Sequence, residues 1–345
     1  MKQELAGLTA LVPDLFEVLH RRYDVLFAIA SHAPIGRRLL AEKLSMSERS
    51  LRTEVDFLKE HQLIRVSREG MTITDRGRDV IAQLQPFAQY FSAMDHREQQ
   101  LAQCLNIERV FIVPGDLDSD THGFEYFGRM LTEVLETTLT SDKNVIAVLG
   151  GSTLRAVVDH MGMIHNNHGR NIFVSGRGGM GDELDVQANT ISDCIARQSG
   201  GEHVPLYAPD YLSRETYDLL KEESSIQKVL QLLSQTQYVI HGIGDAMSMA
   251  SARGMTEDEI KVLKSKKAVA ETFGYFYNSK GEVVYQIPRI GLQLNDLDHV
   301  SHIFAVAGGK HKAKAIHAYM QHAPKQTWLI TDEGASEAIL AEHSL

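Results

Sequence analysis

Six short apolar runs, most of them closed by glycine, dictate what the carboxyl-terminal two thirds of this chain can become. They are RVFIVPG (109–115), NVIAVLG (144–150), NIFVSG (171–176), YVIHGIG (238–244), HIFAVAG (302–308) and TWLIT (327–331). Helical patterns alternate with them, among them GRMLTEVLETTL, TLRAVVDHM, QANTISDCIARQSGG, AMSMASARG, KAKAIHAYMQH and GASEAILAEH. A strand buried on both faces reads as an unbroken apolar run, which is the habit of parallel strands covered by helices. The alternation therefore predicts an α/β domain over 107–345, built on a Rossmann-like, doubly wound parallel sheet. Ligands of such sheets bind beyond the carboxyl ends of the strands. The glycines stand at those ends.

The first hundred residues follow another plan. RRYDVLFAIASH (21–32) has helical spacing, and after Ala33-Pro34 a second short helix is expected over about 36–44. Ser47 is a good N-cap for a third, SERSLRTEVDFLKEHQL, with Leu51, Val55 and Leu58 on one apolar stripe. LIRVSREGMTITDRG then alternates around Glu69-Gly70, the pattern of a β-hairpin. Three helices and a hairpin over 1–75 predict a winged helix-turn-helix, whose last helix enters the major groove. Arg49, Ser50, Arg52 and Thr53, near the start of that helix, become candidate DNA contacts, with Arg65 or Arg68 in the wing. The competing reading is a small protein-interaction module with solvated charges. Residues 76–106 are expected to form helical linkers broken near Pro86, with amphipathic surface suited to a dimer.

Charge first argues against nucleic acid, because the 345 residues carry a net −10. Between His20 and Val80, however, 12 Lys/Arg stand against 9 Asp/Glu, so a mildly basic head precedes an acidic body. No apolar run approaches the roughly 20 residues of a membrane span. The opening MKQELAGLTALVPDLFEV holds acids and a proline, unlike a secretory signal. Cys104 and Cys194 have no metal-type spacing, and a reduced, cytoplasmic protein without a cofactor is expected. His165-Asn166-Asn167-His168 lacks a third metal ligand and reads as a polar loop.

Four glycine segments are candidate chemistry. Gly150-Gly151-Ser152-Thr153-Leu154 joins an apolar strand to a helix, where unpaired N–H groups and the helix dipole favour an anion; a capped tight turn would look the same. Ser175-Gly176-Arg177-Gly178-Gly179-Met180-Gly181 contains G-x-G-x-x-G, but no acidic strand end follows about 20 residues on, so a dinucleotide site is disfavoured. Arg177 among glycines suits a bidentate grip on phosphate instead. His241-Gly242-Ile243-Gly244-Asp245 is followed by Arg253. Gly308-Gly309-Lys310-His311-Lys312 repeats the strand–glycine–helix device and is expected to be a second phosphate cradle. Glu271, in AVAETFGYFYN, is a candidate acceptor for sugar hydroxyls or an ordinary buried acid.

The stretches PIGRRLLAEKLSMSERSLRTEVDFLKE, LGGST, GRGGMGDELDVQANTI, VIHGIGDA, ETFGYFYN, AVAGGKHKAKAI and TDEGA together resemble the sorbitol-operon-type (SorC) family of regulators over nearly the whole chain. The resemblance implies a sugar-phosphate effector domain related in fold to ribose-phosphate isomerases and glucosamine-phosphate deaminases. It further implies operator DNA as partner, a homodimer or homotetramer, and repression of central glycolytic genes relieved by fructose 1,6-bisphosphate. Carried over by motif, the implied effector residues are Gly151, Ser152, Thr153, Arg177, Gln187, Arg253, Glu271 and Lys312. Leu154, Gly178 and Gly179 adjoin them. Two positions depart from the pattern: Asp245 stands where related chains carry Glu, and Ala252 where a second Arg can occur. A sugar-phosphate isomerase or deaminase remains the alternative, with Asp245 and Glu271 as acid and base.

Overall fold

The computed structural model describes residues 13–44, 46–139, 141–165, 169–179, 183–209 and 214–343. The expected loop at Asn166–His168 and the end of the glycine run, Met180–Gly181, lie outside them. The chain divides into two compact units, residues 1–97 and 98–345.

In the first unit, α1 (Pro13–His32), α2 (Arg37–Lys43) and α3 (Glu48–Glu60) precede the hairpin β1 (Ile64–Ser67) and β2 (Gly70–Ile73). Ser47 caps α3 as its sequence implies, its hydroxyl accepting from the Ser50 N–H at 3.1 Å. Leu51, Val55 and Leu58 are buried against Val25, Leu26 and Ile29 of α1 and Leu40 of α2. Glu54 lies on the same inner face, only 4% exposed. Its two oxygens accept from Arg21 at 2.9 Å and Arg22 at 3.0 Å, so its charge is compensated where it is buried. The pair ties α1 to α3. The wing gains a third bonded segment, because Ile35 and Met71 exchange backbone bonds of 3.2 and 2.8 Å. Gly70 lies against that backbone: a Cβ there would stand 2.9 Å from the Ile35 nitrogen.

Next comes α4 (Asp75–Leu105). The break expected at Pro86 does not occur; the helix runs through it, forgoing the one backbone bond that proline cannot donate. In the second unit, Glu98 of α4 accepts from the Ile112 N–H at 2.7 Å, and Leu101 and Leu105 are buried. A carboxylate thus satisfies a donor on an outermost strand.

The second unit continues with β3 (Arg109–Val113), α5 (Gly123–Thr138), β4 (Lys143–Val148), α6 (Ser152–Asp159), β5 (Arg170–Ser175), α7 (Ala188–Gln198) and β6 (Glu202–Val204). Then follow α8 (Arg214–Glu222), α9 (Ser224–Leu233), β7 (Tyr238–Gly242), β8 (Gly244–Asp245), α10 (Ala246–Ala252), α11 (Glu257–Ser265), β9 (Ala268–Thr272), β10 (Tyr275–Asn278) and β11 (Val283–Gln286). The chain closes with β12 (His302–Val306), α12 (Ala313–Met320), β13 (Thr327–Asp332) and α13 (Glu333–His343). Seven strands form one sheet in the order β3-β13-β12-β7-β4-β5-β6, with every pairing parallel. From β4 the chain winds outward through β5 and β6; from β7 it winds the other way through β12 and β13. Because crossovers between parallel strands are right-handed as a rule, winding in two directions is the arrangement that covers both faces of a sheet with helices. Ile146, Val148, Phe173, Ile240, Phe304 and Val306 pack with Phe127 and Leu131 of α5, Leu154 of α6 and Ile191 of α7.

The sequence reading has no counterpart for the second sheet, antiparallel in the order β11-β10-β9-β8. Its central turn is Phe273-Gly274, with φ of +54° and +78°. Positive φ at both central residues is what a tight two-residue hairpin needs. Glycine at 274 supplies one of them without strain.

Candidate functional site

The sheet reverses its winding between β4 and β7, and their carboxyl ends flank a crevice there. This crevice is an open pocket whose atom-free space, mouth included, is about 490 Å³. Its floor is Leu149–Leu154 after β4 and Gly242–Gly244 after β7. Its walls carry Arg177, Arg253, Arg289 and Lys312, with Glu271 as the carboxylate among the described lining residues.

Local chemistry explains each placement. Gly151, with φ of +147°, is the N-cap of α6. The first N–H groups of α6, at Ser152, Thr153 and Leu154, have no partner within the helix. Leu154 offers only this backbone group, since its side chain is in the core. Gly150 is fixed by crowding: a Cβ there would meet the Val186 carbonyl at 2.4 Å and a guanidinium nitrogen of Arg177 at 2.6 Å. Arg177 therefore lies directly over the glycine floor. Lys312 reaches the same place from the other side, its Nζ donating to Thr153 Oγ1 at 2.7 Å. Burial lowers the Lys312 pKa, against the opposing pull of Asp118, Asp245 and Asp332.

Glu271 is brought in by the β9–β10 hairpin. Its Oε1 accepts from the Gly274 N–H and from Arg253, both at 2.8 Å. The two side chains are 6% and 3% exposed for Arg253 and Glu271, so this is a buried ion pair facing the pocket. Asp245 serves as the N-cap of α10, accepting from Met247 and Ser248 at 3.0 and 2.9 Å. Its role in the fold is therefore a helix cap. His241 stands behind the wall, fully buried, with Thr272 Oγ1 at 3.3 Å and Tyr319 OH at 3.5 Å. Burial pushes its pKa down to about 4, so the ring is neutral near pH 7.

The structure brings Gly151, Ser152, Thr153, Leu154, Arg177, Arg253, Glu271 and Lys312 to one pocket. Gly178, Gly179 and Gln187 are outside its lining. Gln187 is the N-cap residue of α7, and its side-chain amide donates to the Glu183 carbonyl at 2.8 Å, beside Gly179. Arg289 was missed, although IPRIGL isolates an arginine beside glycine much as SGRGG does.

One expectation is overturned. The segment Gly308–Lys312 is not a second phosphate cradle, because the N–H groups of Gly309, Lys310 and His311 are already bonded to carboxylates of the same chain. Gly309 donates to Asp332 at 2.7 Å, Lys310 to Asp116 at 3.2 Å and His311 to Asp118 at 2.7 Å. Asp332 also accepts from Leu117 and Ala335, each at 2.8 Å. A phosphate would have to displace these acids and meet their repulsion. Only the Lys312 side chain reaches the pocket.

In the first unit, Arg49, Arg52 and Thr53 are exposed on α3 and Ser50 is half-buried. Arg65 and Arg68 are exposed on the hairpin. Among the described residues no helix is long and apolar enough to cross a membrane.

Comparison with known proteins agrees with both halves. Residues 89–341 match the family model described as "Putative sugar-binding domain", and residues 18–88 match the "CggR N-terminal DNA binding domain". The chain is 40% identical to the Central glycolytic genes regulator of Priestia megaterium over 332 residues, covering 96% of each chain. It is 37% identical to the regulator of that name from Bacillus subtilis, covering 99% of this chain and 100% of the relative. A crystal structure titled "putative SorC family transcriptional regulator" from Enterococcus faecalis is 49% identical, with a TM-score of 0.68, and covers 71% of this chain and 99% of its own. These relatives are transcriptional regulators, which decides against the isomerase or deaminase alternative. A DNA-binding head joined to a sugar-binding body makes this a sugar-responsive transcriptional repressor, and the chain belongs to the SorC family.

Proposed function

We propose that the chain represses a central glycolytic operon in the cytoplasm, and that fructose 1,6-bisphosphate is its inducer. The observation carrying this reading is the pocket at the sheet's switch point, where four cationic side chains and one carboxylate face the start of α6. One phosphate would lie at the N–H groups of Ser152, Thr153 and Leu154, with Lys312 and Arg177 neutralising it. Glu271 would accept from sugar hydroxyls, and the second phosphate would lie on the arginine wall. Gln187, Gly178 and Gly179 would approach from beside Arg177. The name carried by the relatives in Priestia megaterium and Bacillus subtilis supports the glycolytic assignment.

In the head, Arg49, Ser50, Arg52 and Thr53 would contact operator DNA from α3. One small head buries too little DNA surface for tight specific binding, so a homodimer or homotetramer would engage paired half-sites. In this scheme residues 1–75 bind DNA, 76–106 link, and 107–345 sense sugar and assemble. For the sugar to induce, it must bind the state of low DNA affinity better than the repressing state. Calorimetry with fructose 1,6-bisphosphate and fructose 6-phosphate, paired with operator titrations, tests this. The bisphosphate should bind more tightly and weaken operator binding; equal affinity for both sugars, or no effect on the operator, would refute it.

A further inference from the structure

With the Gly308–Lys312 segment closed by its own acids, the pocket has an anionic flank and a cationic one. Asp118, Asp245 and Asp332 all lie close enough to act on Lys312. A ligand group at Lys312 is thus hemmed by negative charge beyond it. On the opposite wall Arg177 lies over Gly150 and Arg253 is engaged with Glu271. The third guanidinium there is Arg289, 2% exposed.

Arg289 is held before any ligand arrives. Its guanidinium donates to the Leu292 carbonyl and lies 5.8 Å from the Phe273 ring centroid. Gly274 makes room for its stem, since a Cβ there would stand 2.9 Å from Arg289 Cδ. The segment around it is pinned at both ends: Ile287 N–H donates to the Gly274 carbonyl at 2.9 Å, and Leu292 N–H to the Gly176 carbonyl at 2.9 Å. The Gln293 side chain closes the turn by donating to the Arg289 and Gly291 carbonyls at 3.1 and 2.9 Å. A guanidinium has five donors in a planar fork. Fixing that fork on a pocket wall removes the entropy cost of ordering it when an anion binds.

We propose that Arg289 is the specificity-determining residue by which the pocket tells a bisphosphorylated sugar from a monophosphate. This rests on the reading of the pocket as a sugar-phosphate site. The second phosphate docks on Arg289, while the first is held at the start of α6. A purely structural arginine, stapling the hairpin to the end of β5, would affect both sugars alike.

The test is calorimetry of the full chain, as wild type, Arg289→Lys and Arg289→Met, with fructose 1,6-bisphosphate and fructose 6-phosphate, alongside thermal melts. Arg289→Met should weaken the bisphosphate about tenfold to a hundredfold, the worth of a charge-assisted contact. The monophosphate should weaken by about threefold or less, a change too small for a lost charge-assisted bond. Arg289→Lys, which keeps the charge but loses the fork, should fall between. If Arg289→Met shows no cooperative melt, the lysine variant decides by the same ratio. Equal weakening of both sugars, or no weakening, overturns the proposal. Wild-type protein that binds neither sugar would instead sink the sugar-phosphate reading, and this inference with it.

Discussion

Removing Arg253 leaves Glu271 as a buried carboxylate whose remaining partner in the pocket wall is the Gly274 N–H. At 2.8 Å the pair's attraction is about 6 kcal/mol for an effective dielectric of about 20. Most of that offsets the desolvation of two groups exposed by only 6% and 3%. The pair's net worth is therefore small, but breaking it from one side costs about 3–5 kcal/mol. In a unit of this size each kcal/mol moves the melting temperature by roughly 2–4 °C. Arg253→Ala should therefore lower the Tm by roughly 6–20 °C near pH 7. Glu271→Gln keeps an acceptor for Gly274 but removes the charge that compensates the guanidinium, and should destabilise by a comparable amount. The double variant removes both charges and should be destabilised no more than either single variant, so the coupling energy in a double-mutant cycle should be about 3 kcal/mol or more. Differential scanning calorimetry of the four proteins reads this directly. Additive effects, or an Arg253→Ala Tm within about 2 °C of wild type, would show that the pair is solvated and the buried-pair argument wrong.

Gly150→Ala places a methyl 2.6 Å from Arg177 and 2.4 Å from the Val186 carbonyl, and should weaken inducer binding about tenfold or more in calorimetry. Arg49→Ala or Arg52→Ala should cost about 1–3 kcal/mol of operator affinity if the side chain reads a base, measured by fluorescence anisotropy. A phosphate-only role would weaken all sequences alike and reduce the salt slope by about one. His241 is depressed from 6.5 to about 4 in the fold. Its stability contribution is therefore complete above about pH 6.5 and declines as pH falls toward 4, by roughly 3 kcal/mol in all. Denaturant titrations from pH 7 to 4 should show that decline, and His241→Gln should remove most of it. Light scattering should find at least a dimer, both free and on operator DNA; a monomer in both states would reject the paired-head scheme.

Local patterns determined a good deal of this protein. Short apolar runs, five of the six closed by glycine, identified six strands of the parallel sheet, because a strand buried on both faces leaves no room for polar alternation. Ser47 announced the start of α3 because a helix's first donors need a side-chain acceptor. Those signals are short-range, and so is the placement of Gly150–Leu154 at a strand-to-helix turn. The small antiparallel sheet was not legible, since two- to five-residue strands such as β8 and β9 are defined by their partners more than by their own sequence. Arg289 and Glu271 share a pocket only because that sheet folds back onto the ends of β4 and β7. The fate of the fourth glycine segment was equally invisible. Gly308–Lys312 has the composition of an anion cradle, and what occupies its N–H groups are Asp116, Asp118 and Asp332, about 200 and about 20 residues away along the chain. A motif states which donors a backbone can offer; only the tertiary structure decides which acceptor reaches them first, because acceptors distant in sequence become neighbours only when the chain has folded.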